Sequence, residues 1–146
     1  MLHLQNMVLG DIVKLKEGAF LRIFTTKSFS RFAKREKISS ALLCEAVERA
    51  EKGILDADLG GNIIKQRVAR SGQGRSKGYR VLIAVRLKKR YVFMHGFAKN
   101  EKDNIENDEL DVLKMYGSAW LNADEKIIKI SLKEGKLEEI QYEKKI

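Results

Sequence analysis

"NIIKQRVARSGQGRSKGYRVLIAVRLKKRYVFMHGFA" (Asn62–Ala98) decides the fold class. Three apolar runs stand in it: Asn62–Arg70, Tyr79–Arg86 and Tyr91–Ala98. Each is rich in β-branched and aromatic residues, and the pattern repeats every second residue, so each reads as a strand. A glycine loop, Ser71–Gly78, parts the first two, and "LKKR" (Leu87–Arg90) is a tight polar turn before the third. Strands joined by connections this short run antiparallel, which predicts a three-stranded meander.

On the N-terminal side, "FLRIF" (Phe20–Phe24) reads as another short strand. "TTKSFSRFAKRE" (Thr25–Glu36) then opens with good N-cap residues and sets Phe29, Phe32 and Ala33 at helical spacing. A second helix carries Leu42, Leu43, Ala46, Val47 and Ala50 on one face, with Ser39 or Ser40 as its cap and Gly53 as its stop. "LDADLGG" (Leu55–Gly61) reads as a turn. On the C-terminal side, acids gather before a helix starting near Asn107, whose apolar side is Leu110, Leu113, Tyr116 or Gly117, Trp120 and Leu121. A short amphipathic piece (Asp124–Lys133) and an edge strand in "KLEEIQYEKKI" follow. The predicted class is α+β: a small antiparallel sheet with an N-terminal helical hairpin and a C-terminal helix.

The charge is uneven. Of 29 Lys and Arg, eleven lie between Leu59 and Asn100, and none of the 20 Asp and Glu does. The formal charge of +9 is therefore the property of one central block, and it points to a polyanionic partner. A single cysteine, Cys44, excludes an internal disulfide and sits on an apolar helical face as a packed or partly exposed bystander. No apolar run approaches the ~18 residues of a membrane span. These features predict a cytoplasmic protein.

Familiar ligand motifs fail on spacing. The glycine loop is not a phosphate-binding loop, because Tyr79 rather than Lys-Ser follows Gly78, and it is not a dinucleotide fingerprint, because Lys77 stands where a third glycine is needed. "DADLGGN" lacks calcium ligands at Gly60 and at Arg67. One Cys with His3 and His95 makes no zinc site. No metal and no cofactor are expected.

What remains is a basic sheet. Lys65 and Arg67 share parity, while Ile64 and Val68 point the other way. Cations two residues apart on a strand stand about 7 Å from each other, near the phosphate spacing of a nucleic acid. Arg80 opens the next strand, and His95 and Lys99 lie toward and beyond the end of the one after it. Lys and Arg on adjacent strands form a groove for single-stranded RNA, with Tyr or Phe as stacking surfaces. RNA carries its own nucleophile, the 2′-hydroxyl. Cleavage needs a proton acceptor, charge stabilisation at phosphorus and a proton donor for the leaving oxygen. Arg and Lys supply the second, and His95 or a lysine is suited to the proton transfers.

Taken together, "DADLGGNIIKQRVARSGQGRSKGYRVLIAVR", "HGFAKNEKDNIENDELDVLK" and "FSRFAKRE" resemble the RelE/ParE superfamily of type II toxin–antitoxin toxins, nearest its HigB-like branch. The resemblance covers residues 20–143, which makes 19–146 one toxin domain and 1–18 an N-terminal extension. It implies a compact microbial-RNase-like fold, cleavage of mRNA on the ribosome, and neutralisation by a cognate antitoxin, often of helix-turn-helix type. By position it assigns phosphate-binding and catalytic roles to Lys65, Arg67, Arg80 and Lys99, with His95 where relatives carry His or Tyr. Arg70, Arg75, Lys77 and Tyr79 then hold flanking RNA. The tyrosine or histidine that ends the RelE pattern has no counterpart in the same context; the chain offers Tyr116 and Tyr142 elsewhere. Two other readings stand beside this one: a ParE-like toxin that binds DNA gyrase, and a non-catalytic RNA-binding module.

Overall fold

A computed structural model describes residues 20–70, 74–99 and 105–142, with backbone alone for 74–76. Strand β1 (Arg22–Thr26) leads directly into helix α1 (Lys27–Glu36), and Thr26 both ends the strand and caps the helix by accepting the Phe29 N–H. Lys37, in the left-handed region, closes α1, and Ser39 caps α2 (Ser40–Glu51). Then come β2 (Ala57–Gly60), β3 (Ile63–Arg70), β4 (Gly74–Arg86), β5 (Arg90–Ala98), α3 (Asn107–Asn122), α4 (Glu125–Lys133) and β6 (Leu137–Ile140). The class is α+β, as the sequence predicts.

The meander β3-β4-β5 sits inside a six-stranded sheet of order β2-β3-β4-β5-β1-β6. One pairing departs from the expected antiparallel sheet: β1 lies parallel to β5, with Ile23 opposite Tyr91. The chain leaves β1 through the helical hairpin and returns beside it only after β2, β3 and β4, the long connection that a parallel pair needs. Two further boundaries shift. Ala57–Gly60, expected as a turn, is an edge strand paired with β3. The reversal is displaced to Gly60, Gly61 and Asn62, which all take positive φ, and the Asp58 carboxylate accepts the Gly60 N–H at 2.9 Å. The expected glycine loop is shorter than eight residues, because β4 already begins at Gly74. Its first three residues, like residues 1–18, lie outside the described ones.

Each face of the sheet has its own core. On one, Phe29, Phe32, Leu43, Val47, Val68, Tyr79, Ile83 and Phe93 pack under α1 and α2. On the other, Phe24, Ile63, Leu82, Ala84, Val92, Met94, Leu121 and Ile128 pack under α3 and α4. Helix α3 approaches closely because Gly117 leaves room for Ile63, Ala84 and Met94. Its C-terminal carbonyls have no basic residue in the last turn to answer them. Sheet arginines do so instead: Arg90 donates to the carbonyls of Trp120 and Ala123 at 2.7 and 2.8 Å, and Arg86 to Leu121 at 2.8 Å. Arg22 adds a two-pronged pair with Glu139 and a contact of 2.7 Å with Glu125. Cys44 is partly buried against the hairpin core, and burial beside Glu48 raises its thiol above the usual value. Among the described residues no helix is long and apolar enough to cross a membrane.

Two outcomes follow. A methyl group on Gly96 would overlap the Phe32 ring, which is sandwiched between α1 and β5. Gly96→Ala is therefore expected to cost about 1–3 kcal/mol in urea unfolding. The fully buried Tyr91 phenol donates to Glu51 at 2.8 Å, and burial, reinforced by that carboxylate, holds its pKa above the usual tyrosine value. A raised folded pKa stabilises the protein below the unfolded value of about 10, and this contribution is lost as pH climbs beyond it. Thermal unfolding across pH 9 to about 11.5 is expected to show that decline, and Tyr91→Phe to flatten it.

Candidate nucleic-acid interface

The cations meet because of a bulge. Within β4 the residues alternate cleanly: Tyr79, Val81 and Ile83 belong to the hairpin core, Leu82 and Ala84 to the core under α3. Arg80 therefore faces the α3 side. In β5, Phe93 lies opposite Ile83 but His95 lies opposite Leu82, so Met94 is an extra residue. Beyond that point the parity of β5 reverses. Val92 and Met94 face α3, and so do His95, opposite Leu82, and Phe97, opposite Arg80. Without the extra residue, His95 and Phe97 would point into the hairpin core.

Two cross-strand rows result. Lys65, Leu82 and His95 form one; Arg67, Arg80 and Phe97 form the next. Strand spacing puts neighbours in a row about 5 Å apart, and the two rows lie about 7 Å apart. They sit immediately beyond the Ile63–Ala84 row on which Gly117 of α3 rests. Lys65 and His95 are half-buried, Arg67 is exposed, and Arg80 is 5% exposed at the floor. The His95 and Phe97 rings are 6.0 Å apart. Arg67 and Arg80 face each other directly across the strands, and like charges so placed repel. Asp56 relieves part of this, its Oδ1 lying 3.5 Å from the Arg67 Nε.

Residues 21–140 match the family model for the RelE toxin of the RelE/RelB toxin–antitoxin system. The chain belongs to the RelE toxin family. It is thus the toxin of a toxin–antitoxin pair, and the family implies a cognate antitoxin. No curated protein matches the chain.

On this RelE-family scaffold the sequence-derived residues divide. Lys65, Arg67, Arg80 and His95 share one face. Lys99 is exposed in the turn just past β5, where its N–H donates to the Gly78 carbonyl at 3.3 Å. Gly78 is required there, since a side chain would overlap the Val68 carbonyl. Lys77 is exposed beside it, and the side chain of Arg75 lies outside the described residues. Tyr79 and Arg70 do not join the group. Tyr79 is 3% exposed in the hairpin core, with its hydroxyl on the Glu36 carboxylate at 3.1 Å, and the Arg70 guanidinium lies 5.5 Å from the Tyr79 ring centre. Both fall on the opposite face from Arg80, so Tyr79, expected to hold flanking RNA, is instead buried in the hairpin core; the aromatic in the Arg67–Arg80 row is Phe97, itself buried. The sequence reading also missed Asp56 and Gln66. Gln66 is fully buried and donates to the carbonyls of Ala46 and Ile54 while accepting the Asp56 N–H, all at 3.0–3.1 Å. A polar residue between Lys65 and Arg67 at an inward parity was the available signal. Among the described residues no three His, Cys, Asp or Glu side chains form a metal-binding group.

A phosphate contact releases counterions, so each lost cation lowers the salt dependence of binding. Single-stranded RNA affinity measured from 50 to about 200 mM salt should fall in the parent, and Arg67→Ala should reduce the log–log slope by about 0.7. Lys129→Ala, on the exposed side of α4, is expected to leave the slope unchanged.

Proposed function

We propose that this toxin is a metal-independent endoribonuclease that cuts mRNA on the ribosome, and that its cognate antitoxin, of helix-turn-helix type, blocks the same cations with an acidic segment. The observation that carries this reading is the reversal of parity at Met94, which sets His95 on the same face as Lys65, Arg67 and Arg80, in one row with Lys65 and with Leu82 between them. A titratable ring and three cations on one face are the groups a phosphodiester cleavage needs.

The chemistry runs as an in-line displacement. The 2′-oxygen attacks the adjacent phosphorus as its proton passes to Lys65 or His95. The bond from phosphorus to the 5′-oxygen breaks, and that oxygen takes a proton from the other group. The products are a 2′,3′-cyclic phosphate and a 5′-hydroxyl. Arg67 and Lys99, from opposite sides, hold the non-bridging oxygens, and Arg80 stabilises their added charge from the floor. Because Arg80 is buried among apolar strands, its field is screened less than that of an exposed lysine. The half-buried His95 offers a ring surface to a neighbouring base, and the buried Phe97 ring backs it at 6.0 Å. Lys77, exposed beside Gly78, extends the basic surface toward flanking RNA.

Primer extension after brief induction tests the reading. New mRNA ends are expected, and they should accept phosphate from a polynucleotide kinase, since they carry 5′-hydroxyls. Arg80→Ala should abolish them at equal expression, a loss of about 100-fold or more. Growth arrest with intact mRNA and accumulating gyrase–DNA breaks would instead assign the fold to a gyrase-directed toxin.

A further inference from the structure

Strand β2 covers only the first part of β3: its pairings stop at Ala57 opposite Lys65. Two residues further on, at Arg67, no strand among the described residues lies beside the outer edge of β3, and side chains take over. The Arg67 N–H donates to Asp56 Oδ2, and the Arg67 carbonyl accepts from Arg49 Nη2 of α2. The other oxygen of the same carboxylate, Oδ1, lies 3.5 Å from the Arg67 Nε. One carboxylate thus grips this residue at its backbone and near its tip. The carboxylate is itself fixed. The Asp56 backbone N–H donates to Gln66 Oε1 at 3.0 Å, and Arg49 Nη1 approaches Oδ2 to 4.0 Å. Arg49 is only 12% exposed and pairs with Glu45 at 3.4 Å. Through all this the Arg67 side chain stays 47% exposed.

An edge plug would need only the two backbone bonds. The contact to Nε adds something else: it limits the swing of a long, flexible side chain that is still about half exposed. We propose that Asp56, braced by Arg49, is a positioning residue that holds the Arg67 guanidinium ready for a phosphate. The inference rests on the nuclease reading for its meaning, but the restraint itself is a property of the free protein. It also has a counter-intuitive consequence. Asp56 is an anion next to a polyanion's seat, so it weakens ground-state attraction while it orients the charge that acts in the transition state.

That consequence separates positioning from mere structure. With the full-length protein, translating ribosomes and a synthetic mRNA, kcat and KM are compared for the parent, Asp56→Ala, Asp56→Asn, Arg67→Ala and Asp56→Ala/Arg67→Ala. Asp56→Asn keeps an oxygen for the Arg67 N–H and removes the charge, which guards against loss of the edge. Both Asp56 variants are expected to lose about 10- to 100-fold in kcat. Their KM should stay level or fall. Once Arg67 is alanine, removing Asp56 should cost nothing more. In parallel, the Arg67 Nε–H signal is followed by ¹⁵N relaxation without RNA, and Asp56→Asn should lower its order parameter. Unchanged order in Asp56→Asn overturns the proposal, as do losses confined to a raised KM or losses that multiply in the double variant. A parent protein that cuts no RNA overturns the nuclease reading alone, and the relaxation measurement then decides the restraint by itself.

Discussion

One extra residue in β5 governs what the α3 face of this sheet can be. A strand between two covered faces has little freedom, since each side chain belongs to one core or the other. Met94 changes the register after the cores are filled: Phe93 still enters the hairpin core and Met94 the opposite one. Everything C-terminal of it is then turned over. Gly96 now meets Phe32, where only a hydrogen fits, while His95 and Phe97 are delivered to the side of Lys65, Arg67 and Arg80. Close packing on one face and gathered charge on the other are therefore the same event. Bulges commonly re-aim a side chain at a site in this way, by bending one strand against an unbroken neighbour.

Gathering cations costs stability, and the fold limits that cost locally. Arg67 and Arg80 oppose each other across β3 and β4, an arrangement that an isolated sheet would avoid. Asp56 offsets the repulsion from the sheet edge, and Gln66, pointing the other way, fastens that same stretch of β3 to α2. The buried Gln66 amide has all three of its contacts within the protein, so it adds rigidity without leaving an unmet polar group. The site is thus built on strands, with the second helix as its brace, rather than on loops. That suits a surface that must hold several charges against each other before any ligand arrives.

Much of this was legible in the sequence. The N-caps at Thr26 and Ser39, the stop at Gly53 and the apolar spacing of Phe29, Phe32 and Ala33 are local signals, and local structure followed them. The shared parity of Lys65 and Arg67 was readable for the same reason. The parity of His95 was not. Counted from Phe93, it should face the hairpin, and no residue type in "YVFMHGFA" marks the bulge. Tyr79 failed differently: beside Arg80 and a basic loop it reads as a surface aromatic, but period two sends it to the other face. The parallel seat of β1 beside β5 was also hidden, because it depends on where a long connection lands rather than on any short motif.

The basic block itself needs dividing. As a count it suggests one large anion-binding surface, but its members serve two ends of the sheet. Arg86 and Arg90 are committed to the carbonyls at the end of α3, where they take the place of a helix cap. Burial, with Arg22 and Arg86 nearby, lowers the Arg90 pKa, and Glu125 works against that shift. Arg70 lies over Tyr79 on the far face. Arg86 and Arg90 fasten the helix that borders the site, and Arg70 packs on the other face of the sheet. The acids missing between Leu59 and Asn100 are explained in the same terms. A carboxylate on these strands would compete either for the arginines that cap α3 or for the cations beside His95. Partners for both sets come instead from elements flanking the meander, Asp56 before it and Glu125 after it. The sequence pattern that signals a nucleic-acid surface is therefore partly the signature of how the sheet holds its helices.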